Sequence, residues 1–147
     1  MKRALIICFA VFLLMQFIRP QKVEYSEDET YEIVLPPDIK EIFVRACYDC
    51  HSNKINYPWY SNVQPVGFFM EHHIKEAKED LNFDEWGKYS KRKQENKLDR
   101  IVKQIKSDEM PLASYTLIHK NARLTTVQKK EVMDWISKIK DSISSQY

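Results

Sequence analysis

Cys47, Cys50 and His51 are the residues whose types and spacing most directly imply chemistry, because Cys47-Tyr48-Asp49-Cys50-His51 reads C-x-x-C-H. Two thiols at this spacing can each add to one of two vinyl groups on one edge of a haem, forming thioethers. The histidine next in sequence is then carried beneath the ring, where its neutral imidazole can bind iron. One short segment would thereby fix both porphyrin and metal, as one covalent haem c. The same residues admit three other chemistries: a redox-active dithiol, a structural disulfide, and half of a zinc site. A thioredoxin-like dithiol belongs in a βαβ setting, which this sequence lacks, and zinc needs two more ligands. His72, His73 and His119 are the other histidines, and none forms a second paired spacing with Cys47 and Cys50. Haem is therefore the preferred cofactor, with zinc and disulfide as the alternatives.

On the other side of the iron, Met110 is the leading candidate for the sixth ligand. A thioether there raises the reduction potential and closes the site, and both suit electron transfer. The competing reading is a methionine that ends a helix and fills a gap in the core. The placement of Met110 in a Met110-Pro111 step before the last helix resembles cytochromes c. His73 is the alternative sixth ligand, since it falls in register with Phe69, Met70 and Ala77 on a helical face, although a backbone carbonyl or a propionate would also satisfy it. His72 points off that face, and His119 suits a hydrogen-bonding or surface role. Tyr57, Trp59 and Tyr60 either shield the haem edge or pack a loop. In cytochromes c a proline carbonyl commonly accepts a hydrogen bond from the proximal imidazole. Pro58 and Pro65 are the two candidates for that role here.

Helices must position these groups. Glycine occurs only twice, at Gly67 and Gly87, while Lys, Glu, Leu, Ile and Gln abound, which disfavours hairpins and predicts an all-α domain. Ile39, Ile42, Phe43 and Ala46 fall at helical spacing from a cap at Asp38 and lead straight into Cys47. Val66, Phe69, Met70, His73 and Ala77 predict the buried face of a second helix ending near Leu81. Leu98, Ile101, Val102 and Ile105 mark a third helix, which Met110-Pro111 is expected to end. The last helix opens on a Thr125-x-x-Gln128 capping box and buries Val132, Trp135, Ile136, Ile139 and Ile143. Trp86 and the charged run Lys88 to Lys97 read as a solvated surface with a single packing aromatic.

The chain of 147 residues divides into a segment 1–20, an acidic linker 21–36 and a domain 37–147. Ala4 to Ile18 is apolar apart from Gln16 and follows Lys2-Arg3, as an export signal or a short anchor would. Its fifteen residues rise about 22 Å as a helix, short of a hydrocarbon core of about 30 Å. No small-x-small cleavage pattern follows, so an uncleaved single-pass anchor in the cytoplasmic membrane is expected, its basic flank leaving the domain on the periplasmic side. Cys8 follows Ile7 rather than a small residue, and reads as a thiol within the anchor and not a lipidation site. Glu24, Glu27, Asp28, Glu29 and Glu32 then form a solvated spacer ending in Pro36-Pro37. Net charge is +2, and Lys2, Arg3 and Arg19 supply +3 of it, which leaves −1 for the rest and no footprint for nucleic acid.

The runs CYDCHSN, YPWYSNVQPV, HIKEAKEDLNFDEW and EMPLASYTLIHKNARLT resemble the small bacterial haem-binding-domain family of membrane-anchored c-type cytochromes, over roughly residues 37 to 140. That resemblance implies a cytochrome c-like helical fold with one covalent haem outside the cytoplasmic membrane, and no catalytic reaction. The expected function is a membrane-tethered electron carrier serving an unknown redox partner protein. A haem-based ligand sensor, with a labile sixth position, is the principal alternative. A peroxidase-like enzyme would need a positioned acid–base group that no second motif supplies. A zinc or disulfide protein of structural role completes the set.

Overall fold

The computed structural model describes residues 1–22 and 28–145. Helix α1 spans Lys2–Met15, α2 Pro37–Ala46, α3 Tyr48–His51, α4 Val66–Asp80, α5 Lys91–Lys106, α6 Ala113–Ile118 and α7 Thr126–Ser144. Short 3-10 turns occupy Trp59–Asn62, Phe83–Lys88 and Lys120–Ala122. No strand occurs among the described residues, in line with the all-α expectation.

A capping box sets the start of α7, and a proline that of α2. At the start of α7 the Thr125 hydroxyl accepts the Gln128 backbone N–H at 3.2 Å, and the Gln128 side chain accepts the Thr125 N–H at 3.1 Å. This reciprocal pair satisfies two donors that the first turn leaves open. Helix α2 starts two residues earlier than a cap at Asp38 implies: Pro37 occupies the first position, where its missing N–H costs nothing, and Asp38 lies in the first turn without capping it. Ile39, Ile42 and Phe43 of α2 meet Leu98 and Ile105 of α5 and Val132, Ile136 and Ile143 of α7 in one core. Phe43 is its centre, 1% exposed, with ring centroids 5.1 Å from Phe83 and 5.7 Å from Trp135. Phe43→Ala should therefore cost about 3–5 kcal/mol of unfolding free energy, read as a lower urea midpoint. A loss below about 0.5 kcal/mol would mean the site tolerates a cavity that this packing forbids.

Four elements depart from expectation. Helix α4 buries Gly67 and Ile74, while Val66 is 43% and Phe69 61% exposed. The cause is Gly67: a Cβ there would lie 2.4 Å from the Ser61 carbonyl and 2.8 Å from the Gln64 side chain, so the helix presses its glycine face onto the preceding turn. Helix α5 ends at Lys106, four residues before Met110. Asp108 adopts a left-handed φ of 58°, and the Glu109 and Met110 N–H groups both turn back to the Gln104 carbonyl, at 3.0 and 3.2 Å. The charged run before it is not a solvated surface throughout, because Gln94 and Lys97 are buried in α5 and Trp86 belongs to the core.

The acidic linker is the third departure. Glu24 and Glu27 lie outside the described residues, but the later part is no free spacer. Ile33 is buried, its N–H bonds the Phe83 carbonyl at 2.9 Å, and the Tyr31 carbonyl accepts the Gly87 N–H at 2.8 Å. The fourth is the N-terminal segment. Helix α1 has 14 residues, a rise of about 21 Å, and among the described residues no helix is long and apolar enough to cross a membrane. The N–H groups of Gln16, Phe17 and Ile18 bond carbonyls three residues back, each at 3.1 Å, so the α-helix stops before the apolar run does. None of its residues is buried against the rest of the protein, and Cys8 is exposed.

Candidate functional site

The link between α2 and α3 sets the site. Cys47 leaves the helical region, with its N–H still bonded to the Phe43 carbonyl at 2.8 Å, and its own carbonyl accepts the N–H groups of Cys50 at 3.2 Å and His51 at 3.0 Å. This tight turn puts Cys47 and His51 on one side. Both line a cavity of about 250 Å³ together with Phe43, Ala46, Leu81, Phe83, Ile101, Ile105, Met110 and Leu124. Cys50 is half-buried on the same turn but does not line that cavity.

The imidazole of His51 is oriented by α4. Its Nδ1 lies 3.1 Å from the Ala77 carbonyl and 3.0 Å from the Leu81 carbonyl, at the C-terminal end of that helix. Two acceptors at one nitrogen require that nitrogen to carry the proton, which leaves the Nε2 lone pair free. Burial pulls the pKa of His51 below its ordinary value, against the opposite pull of the two carbonyls, so the ring is held neutral. Pro58 and Pro65 do not take this role. Their carbonyls accept the N–H groups of Ser61 and Phe69 instead.

Both motif thiols are unpaired, and burial raises Cys47 to about 12 and Cys50 to about 11. A catalytic dithiol needs a lowered pKa, so the redox-dithiol reading is disfavoured. Among the described residues no group of three or more His, Cys, Asp or Glu side chains is arranged to hold a metal ion. The donors on the cavity fit a haem: an oriented neutral imidazole, the Cys47 thiol and the Met110 thioether around an apolar space, with the Cys50 thiol on the same turn but outside the lining.

His73 does not reach that cavity. It stacks on Phe69 at 4.2 Å, and its Nδ1 is buried without a hydrogen-bond partner. His72 is exposed and pairs with Glu76 at 3.4 Å. His119 has a hydrogen-bonding place, its Nε2 2.7 Å from the Tyr60 hydroxyl and its ring stacked on Tyr115, whose hydroxyl donates to Asp49 at 2.6 Å. Tyr57 donates to Glu71, and Trp59 points to solvent, so neither borders the cavity.

Sequence reasoning missed Lys97 and Arg100. Both line the cavity, where Lys97 donates to the Asp80 carbonyl and Arg100 pairs with the Asp80 carboxylate at 2.5 Å. Burial lowers the pKa of Lys97. The signal was present, since Lys97 precedes Ile101 and Ile105 by one and two helical turns.

Behind the motif, Tyr48 stacks on Phe83 and donates to Glu32 at 3.0 Å, and Glu32 receives Lys54 at 2.7 Å. Burial pushes the carboxyl pKa up, but these hydrogen bonds outweigh it and hold the group below its ordinary 4.5. The native state therefore prefers the ionised form. Its stabilisation is complete above pH 4.5 and disappears as pH falls through the lowered native pKa. Glu32→Gln should cost roughly 1–3 kcal/mol at neutral pH and flatten the fall in thermal midpoint below pH 4.5. An unchanged acid limb would remove Glu32 from the acid response.

A family model described as Haem-binding domain matches residues 10–138. No curated protein matches the chain, and no solved structure does.

Proposed function

The chain belongs to the haem-binding domain family, and on that premise we propose that it is a membrane-tethered c-type haem protein that transfers single electrons. The observation that carries this reading is His51. Its Nδ1 is occupied by the Ala77 and Leu81 carbonyls, so that its Nε2 is available as a ligand beside an apolar cavity. Orientation of a ligating imidazole through its second nitrogen raises its basicity and fixes its tautomer. Cys47 and Cys50 are the thiols that would become thioethers. Met110, on the loop after α5, would supply a soft thioether to the iron, a donor that favours the reduced state. Lys97 and Arg100 are the cations at hand for two propionates. The bound haem supplies a one-electron couple, while the protein sets its potential and excludes other ligands.

The tether is α1, whose apolar side chains are all in contact with solvent unless a bilayer covers them. With Phe17 and Ile18 the apolar run is longer than the helix itself, and the basic flank at Lys2 and Arg3 suits the cytoplasmic side. The domain then lies on the outer face, in reach of a redox partner protein. Redox titration of membrane-extracted protein should give one reversible one-electron couple, with no carbon monoxide adduct in the reduced state. A reduced form that takes up carbon monoxide at once would favour a ligand sensor.

A further inference from the structure

We infer that the turn Trp59–Asn62 and the first turn of α4 form a membrane-facing surface that seats the domain directly on the lipid headgroup layer. This rests on the tether proposed above. Trp59 is 78% exposed, Phe69 61% and Val66 43%, three large apolar side chains that stand open to solvent on two consecutive elements. Isolated exposed apolar residues need no explanation, but these occupy the segment to which α1 is fastened.

The fastening consists of four hydrogen bonds. Gln16 donates to the Gln64 carbonyl at 3.1 Å, and its side-chain oxygen accepts the Gln64 N–H at 2.9 Å. Arg19 donates to the Asn62 carbonyl, and Lys22 to the Asn62 side chain at 2.9 Å. A bilayer that receives the apolar side chains of α1 therefore ends within a few residues of Trp59 and Val66. The side-chain types match that depth. Tryptophan, with an apolar body and one N–H, collects at the membrane interface, and Arg19 and Lys22 lie where cations meet lipid phosphates. One turn further along α4 the character changes: Glu71 bonds Tyr57 and Glu76 pairs with His72. That charge limits entry to the first turn.

The seat explains a face that sequence periodicity assigns to the core. Gly67 turns α4 so that Val66 and Phe69 point outward, which is costly in water and favourable against lipid. It also fixes how the haem cavity is presented, because α4 carries the Ala77 and Leu81 carbonyls that hold His51.

The test uses full-length holoprotein in phosphatidylethanolamine–phosphatidylglycerol vesicles doped with a photoactivatable phospholipid, with adducts located by peptide mass spectrometry. Adducts are expected on α1 and on peptides within residues 57–70. In a Trp59→Ser, Phe69→Ser variant, both substitutions at exposed positions, the second set should be lost and the α1 adducts kept. Adducts confined to α1 in the parent protein would overturn the seat and leave the tether standing. Absence of adducts on α1 as well would overturn both.

Discussion

Met110→Ala should open the iron to carbon monoxide and lower the reduction potential while leaving the haem attached. Met110 lies on the cavity that Cys47 and His51 border, on the loop that the left-handed Asp108 turns away from α5. Removing its sulfur removes the thioether donor from the cavity, and alanine offers nothing in its place. The potential should fall by a sizeable fraction of the roughly 0.8 V over which axial ligands set haem potentials. His73→Ala serves as the control. Its ring sits against Phe69 and away from the cavity, so the ligand set should not change. If the histidine variant opens the iron and the methionine variant does not, the centre is bis-histidine and the pocket assignment falls.

His51→Ala is the second large effect. The variant should lose the low-spin visible spectrum of the parent, and added imidazole should restore it, because the cavity left by the ring lies next to two carbonyls that can again orient an imidazole N–H. Leaving those acceptors without a donor costs about 1–3 kcal/mol of stability in addition. Rescue by imidazole separates loss of the ligand from loss of the fold. An unaltered spectrum in the variant would move the proximal ligand to another residue.

These expectations draw on features of unequal visibility in the sequence. C-x-x-C-H is contiguous, and a single tight turn sets Cys47 and His51 on the cavity, whereas Cys50, which the spacing groups with them, lies outside its lining. The capping box of α7 is likewise local: Thr125 and Gln128 meet whatever the rest of the chain does. The orientation of His51 is not local. Its acceptors are carbonyls at the end of α4, and every residue type carries a carbonyl, so no side-chain pattern marks them. The face of α4 was misread for a related reason, since periodicity weighs side chains and the contact is made by Gly67, which has none. Lys97 was read by its charge, although its helical register with Ile101 and Ile105 places it on the cavity. Ile33 was hidden within an acidic composition, where one apolar residue decides that the segment packs. Fold class and motif thus come from local rules, whereas the supports of the site come from backbone groups and close approaches that composition does not register.

A haem bound through Cys47 and Cys50 and ligated by His51 is tested most directly by the mass of the denatured, reduced chain made with cytochrome c maturation machinery. The expected result is a chain heavier by one haem, with a haemochrome spectrum that survives acid–acetone extraction, and a Cys47→Ala, Cys50→Ala protein from which extraction removes all colour. A denatured chain at the bare polypeptide mass, colourless or with its haem fully extracted, would contradict it.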